Sequence, residues 1–145
     1  MKEVINEILL RELDKLEKEI ESFPEDKLWS VSGNVINSAG NLCQHLCGNL
    51  QHFIGAVLGE TGYVRDRDVE FSSKNNSKEK LIQEIQSAKK TVSNTLSKLA
   101  DGDLKKIYAQ KFMEKNITTE FLLIHLVAHF NYHLGQINYL RRLIA

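Results

Sequence analysis

Apolar residues recur at intervals of three and four along four stretches of this chain, and its one proline, Pro24, falls in the first gap between them. That period belongs to helices that bury one face. In the first stretch Ile5, Leu9, Leu13, Leu16, Ile20 and Phe23 share a side while charges fill the others, which predicts an amphipathic helix over roughly 2–22. The second runs from about Ser38 to Leu58 and stops at Gly59. The third starts after Ser77, a good N-cap, and repeats Leu81, Ile85, Ala88, Val92, Leu96 and Leu99 before the turn residues Asp101 and Gly102, predicting helix over about 78–99. The fourth runs from about Thr118 to Ile144. No strand-like alternation of useful length competes with these, so an all-α chain is expected.

With 145 residues, 42% hydrophobic and 26% charged, the chain is expected to form one globular domain able to fold unaided. Nineteen basic residues balance nineteen acidic ones, so no long-range field gathers phosphate backbones and nucleic acid is not an expected partner. Glu3 and Glu7 sit where a signal peptide would carry its apolar core, which makes the cytoplasm the expected compartment. Two cysteines, Cys43 and Cys47, are too few for a disulfide framework and suit reducing surroundings.

The helices differ in charge. Between Lys27 and Glu60, and again between Glu120 and Arg141, there is no Asp, Glu, Lys or Arg, and all five histidines fall inside those two runs. Charged residues avoid full burial, so the second and fourth helices are expected to be the more buried pair. A membrane is not expected to hold them, because Asn34, Asn37, Asn41, Gln44, Asn49, Gln51 and the histidines interrupt the apolar runs. Buried polar side chains need partners, and such a cluster inside a bundle suggests a lined cavity.

Two long connections join the later helices. "GETGYVRDRDVEFSSKNN", Gly59 to Asn76, carries the run Arg65, Asp66, Arg67, Asp68. A loop of that length in a compact domain tends to be functional or disordered. Either its charges form a solvated crossover, or Arg65 or Arg67 closes over an anionic substrate, for which a guanidinium is well suited. Ala100 to Ile117 contains Leu104, Ile107, Tyr108, Phe112 and Met113 and is expected to pack across the bundle as a lid or strut.

The histidines carry the chemistry. His125, His129 and His133 are spaced by four, and each step of four advances only ~40° around a helix, so all three lean to one side. A His-x3-His pair can offer two nitrogens to one ion, although the same spacing also arises among satisfied core or surface histidines. A further ligand must come from elsewhere in space, and the second helix supplies His45 and His52 on a stripe with Asn41, Gly48 and Asn49. Either could face the pair. Cys43 and Cys47 lie ~200° around the helix from His45 and read as buried small residues.

Three segments taken together, "HLCGNLQHFIGA", "YVRDRDVEF" and "HLVAHFNYHLGQINYLRR", resemble the DinB/YfiT superfamily, and specifically its DUF1572-type branch. The resemblance spans roughly residues 35–144. It implies a four-helix bundle of up-down-down-up type with long crossover loops, in which one histidine of the second helix and two of the last hold a divalent metal. Carried onto this chain, the ligands it implies are His45, His129 and His133. Superfamily members are similar in fold to metal-dependent thiol S-transferases and to a mycothiol-dependent maleylpyruvate isomerase, and many are dimers, so a homodimer is expected.

The residues agree with that set in one respect. Three successive histidines rise ~12 Å along a helix, too far for all to reach one ion at ~2 Å. Keeping His129 and His133 aligns the site with Gln136, whereas His125 lies nearer the helix N-terminus, whose positive dipole end disfavours a cation. Asn49, one turn past His45, and Gln136 are placed to orient a ligand or water, and His52 and His125 to line the pocket. Neutral imidazoles leave the ion its full charge and an open position, the arrangement that activates bound water or a thiol. Nickel or zinc suits imidazole best. No carboxylate lies in either uncharged run, so acid–base help is expected from His52, His125, Asp66, Asp68 or Glu70. The expected function is that of a metal-dependent hydrolase or thiol S-transferase acting on a small molecule, with a low-molecular-weight thiol as one candidate. The alternative is a non-catalytic, metal-stabilised dimeric interaction protein.

Overall fold

Each helix that the apolar period predicts is present, and hydroxyl side chains cap three of the four starts. The computed structural model describes residues 1–145. Helix α1 spans Lys2–Ser22, α2 spans Ala39–Leu50 and runs on as a π-helical stretch Gln51–Leu58, α3 is the short Arg67–Ser72, α4 spans Lys78–Lys98 and α5 spans Thr119–Ile144. Ser38 accepts from the Asn41 N–H, Ser77 from Lys80 and Thr118 from Phe121, satisfying first-turn donors that a helix leaves unpaired. The change to i→i+5 bonding from Gln51, and the existence of α3, were not expected from the sequence.

Contacts between the helices settle their directions. Lys2 Nζ donates to Ser97 O near the end of α4 at 3.3 Å, and Lys78 Nζ donates to Glu21 O near the end of α1 at 3.1 Å, so α1 and α4 are antiparallel. Glu12 shares a cleft with Asn131, and Glu19 accepts from Asn138 at 2.6 Å, so α5 rises with α1. Gln51 donates to Ser87 at 3.0 Å, and a Cβ placed on Gly55 would stand 2.8 Å from Thr91 Cγ2, so α2 and α4 run together at close approach. Leu42 and Leu140 line one groove while His45 meets His129, which makes α2 and α5 antiparallel. The result is an up-down-down-up four-helix bundle in which α1 and α2 each pack on both α4 and α5. Its core contains the predicted apolar stripes, including Leu9, Leu13 and Leu16 of α1 and Ile85 and Val92 of α4, together with Phe130 and Ile137 of α5. Burying each such side chain contributes ~1.5–3 kcal/mol.

The two uncharged runs turn out to differ. Every residue of Ala39–Leu50 is buried, so α2 lacks charge because it has no solvent face. Helix α5 is not like this: Phe121, Ile124, Tyr132, Tyr139 and Leu143 are exposed along one side of it. Its lack of charge therefore marks an uncovered apolar face rather than deep burial. No helix is long and apolar enough to cross a membrane.

Parallel α2 and α4 require a connection that returns the length of the bundle, and polar residues of α2 hold that connection in place. Asn41 Nδ2 donates to the carbonyls of Glu70, Phe71 and Ser73 at 2.9–3.1 Å, and Gln44 Nε2 donates to those of Glu70 and Ser73 at 3.0 and 3.2 Å. Both satisfy the open carbonyls at the end of α3, and of the two, each expected to line a cavity, Gln44 also borders the cleft between α2, α4 and the crossover. The second connection acts as a strut. Leu104 and Tyr108 are buried and the Tyr108 hydroxyl donates to Phe53 O at 2.7 Å, whereas Ile107 and Met113, expected to pack, face solvent.

Candidate metal centre

Antiparallel packing of α2 on α5 brings His45 against His129 and His133. One side-chain nitrogen from each lies within 4.8 Å of the other two. The ring centres of His129 and His133 are 4.7 Å apart, and His45 stands 5.0 and 5.1 Å from them, edge-on to both. His45 Nε2 and His129 Nε2 are 3.1 Å apart. Two nitrogens bound to one ion at ~2.0–2.1 Å, at tetrahedral or octahedral angles, stand ~2.9–3.4 Å apart, so this spacing fits a shared ion. It equally fits a hydrogen bond when one of the two carries a proton. His129 Nδ1 is buried with no hydrogen-bond partner, the kind of unsatisfied polar atom that a packed core avoids.

The surroundings favour neutral rings, which are the form that binds metal. Burial, reinforced by the charges of His133, His45, His125 and Arg65, lowers His129 from 6.5 to about 4. Burial also lowers His133, opposed by its hydrogen bond with Gln136 and assisted by His45. On the far side of His45 is a carboxylate: Glu70 Oε1 lies 3.1 Å from Nδ1. Arg65 pairs with the same carboxylate, Nε to Oε2 at 2.9 Å and Nη2 to Oε1 at 3.0 Å. Burial alone would raise Glu70, but hydrogen bonds from His45 and Arg65 and the guanidinium charge outweigh it and hold the carboxyl below its usual value.

The other expected site residues divide. Gln136 Oε1 accepts from His133 Nδ1 at 2.7 Å and so orients that ring. Asn49 is buried one turn past His45. His52 and His125 stand outside the cluster: His52 Nε2 pairs with Gln110 Oε1 at 3.2 Å, and His125 packs on Phe112 with centres 4.5 Å apart, 6.3 Å from His129. Arg65 is held by Glu70, while Arg67 lies exposed with its guanidinium 5.8 Å from the Phe71 ring centre. Asp66 caps α3 by accepting from the Val69 N–H. The cysteines are free and buried, and a hydrogen bond with Cys47 together with burial pushes the Cys43 thiol well above its ordinary value, so it stays protonated.

Sequence reasoning missed the contact between Glu70 and His45. The two are 25 residues apart on different elements, and the one local sign was a glycine, Gly48, inside a buried helix. Two clefts flank the cluster. A polar one of about 610 Å³, between α2, α4 and the crossover, touches Glu70. An apolar one of about 640 Å³ lies between residues 34–37, ahead of α2, and one face of α5, and reaches Tyr132 and Gln136 beside His133.

The bundle has known counterparts. A conserved protein from Enterococcus faecalis superposes with a TM-score of 0.82 at 15% identity, covering 99% of this chain and 96% of that one. A DinB-like protein from Bacillus cereus superposes with a TM-score of 0.72 at 18% identity, covering 90% of this chain and 84% of that one. At such identities the likeness concerns the fold alone. No curated protein matches the chain significantly. The model of a family described as protein of unknown function, DUF1572, matches residues 2–145, so the chain belongs to the DUF1572 family and has the DinB-like fold.

Proposed function

We propose that His45, His129 and His133 hold one divalent ion, nickel or zinc, and that the protein is a metal-dependent hydrolase or thiol S-transferase acting on a small molecule. The convergence of three imidazoles from two helices, with two Nε2 atoms 3.1 Å apart, carries this reading. A divalent ion bound there supplies Lewis acidity, lowering the pKa of water or a thiol and polarising a carbonyl. The chain's own residues do the rest. Gln136 fixes the ring of His133, and burial keeps His129 and His133 neutral at working pH. The apolar cleft between residues 34–37 and α5 takes the uncharged part of the substrate beside His133. A low-molecular-weight thiol is the favoured co-substrate class, because a soft nucleophile suits an imidazole-bound nickel or zinc ion.

A second reading has its own observation. The exposed row Phe121, Ile124, Tyr132, Tyr139 and Leu143 on α5 suits an apolar interface, as in a homodimer whose ion serves stability rather than turnover. Incubation of the zinc- and nickel-loaded protein with a panel of thiols, electrophiles and esters separates the two. Turnover that disappears on chelation while the helical circular dichroism persists is the expected result for the enzyme. No turnover beside a metal-dependent melting temperature favours the stabilised dimer, and activity indifferent to chelation contradicts both readings.

A further inference from the structure

We propose that Glu70 is the positioning carboxylate of the metal centre and that Gly48 is the residue that admits it, so the crossover between α2 and α4 is part of the site. This rests on the metal reading above. Glu70 is 6% exposed, on α3, with its carboxylate between His45 and Arg65. An ionised carboxylate only accepts hydrogen bonds. Arg65 Nη2 also lies 3.3 Å from His45 Nδ1, but it is closer to Oε1, at 3.0 Å, so the carboxylate 3.1 Å away is the nearer partner of Nδ1 and favours the proton of a neutral His45 there, leaving the lone pair on Nε2, the nitrogen that faces His129. Glu70 thus selects which nitrogen is free to bind an ion and fixes the plane of the ring. A buried carboxylate is costly unless its charge is met, and Arg65, itself 13% exposed, meets it with two hydrogen bonds.

One face of α2 serves this arrangement. Asn41 and Gln44 anchor the backbone of Glu70, His45 receives its side chain, and Gly48 lies one turn further on. A Cβ on Gly48 would stand 2.0 Å from Glu70 Oε2 and 2.7 Å from its Cδ. No side chain at 48 is compatible with the carboxylate where it lies, which accounts for a glycine in the interior of a buried helix despite its poor helix propensity.

The test measures zinc affinity by chelator competition, and the tautomer of His45 by ¹⁵N NMR on zinc-free protein, for wild type, Glu70→Gln, Gly48→Ala, Glu70→Ala and the double variant Gly48→Ala/Glu70→Ala. Glu70→Gln keeps the shape and is expected to weaken zinc ~10–100-fold. It is also expected to reduce the Nδ1–H population of His45, since the amide nitrogen turned toward the ring is a donor. Gly48→Ala is expected to weaken zinc comparably in the wild-type background and by less than ~3-fold once Glu70 is alanine, because the clash partner is gone. Wild-type affinity and an unchanged Nδ1–H signal in Glu70→Gln would overturn the proposal, as would an equal effect of Gly48→Ala in both backgrounds. A wild type that binds no zinc fails differently: it removes the metal reading itself, and the proposal with it.

Discussion

Alanine at His45, His129 or His133, introduced singly, is expected to abolish stoichiometric binding of nickel or zinc, while alanine at His52 or His125 leaves one ion per chain. The difference comes from placement. The first three rings offer nitrogens within 4.8 Å of one another. His52 is turned to Gln110 and His125 to Phe112, and the centre of His125 is 6.3 Å from His129 where that of His133 is only 4.7 Å away. With two imidazoles left, the ion loses a third of its protein ligands, and with them most of the affinity that lets it survive dialysis. His129 and His133 are half-buried and His45 fully so, which makes circular dichroism on each variant a necessary companion to elemental analysis. A metal-loaded His45→Ala protein beside a metal-free His52→Ala protein would reverse the assignment on α2.

The metal-free protein is expected to lose stability steadily as pH falls from 6.5 to about 4, the window set by the depressed His129. The sign follows from proton uptake. The unfolded chain protonates this imidazole near its ordinary value, whereas the folded chain resists until about 4, so between the two the unfolded state binds more protons and gains on the native one. His133, lowered by burial, adds in the same direction. One fully buried imidazole gives a slope of at most ~1.4 kcal/mol per pH unit, and partial exposure of both rings brings each contribution below that. Urea midpoints measured across that range, for wild type and for His129→Leu, test it: the variant should show a shallower dependence. A wild-type slope that survives unchanged in His129→Leu would place the acid sensitivity elsewhere. Zinc at 100 times its dissociation constant should add ~2.7 kcal/mol near neutrality. That gain should shrink at acid pH as protons displace the ion, setting in lower than for a free imidazole because His129 and His133 resist protonation.

How much of this was legible beforehand depended on whether the signal was local. Ser77 announces its helix start because a cap is a contact over three residues, and it caps as expected; Ser38 and Thr118, given only as approximate starts, prove to be caps of the same kind. The four-residue step from His129 to His133 likewise places two rings on one stripe. That His45 and not His52 meets them is a matter of how α2 slides along α5, which no period encodes, and the family resemblance supplied it. Absence of charge proved ambiguous. It signalled full burial in α2 but an exposed apolar row in α5, since composition cannot tell a covered face from an uncovered one. Helix α3 was invisible because six residues, Arg67–Ser72, are too few to show a period. Glu70 was therefore read as one of several loop acids, when its carboxylate is in fact folded back onto His45.

X-ray absorption at the metal edge, on protein loaded with one equivalent of zinc and then with one of nickel, bears most directly on the three-histidine centre. If His45, His129 and His133 hold the ion, the spectrum shows imidazole nitrogens at ~2.0–2.1 Å, with the multiple-scattering pattern of rigid rings and no sulfur shell. The pattern should weaken in His129→Ala. A sulfur shell at ~2.3 Å, which only Cys43 and Cys47 or the methionines could supply, or an ion surrounded by water oxygens alone, would contradict it.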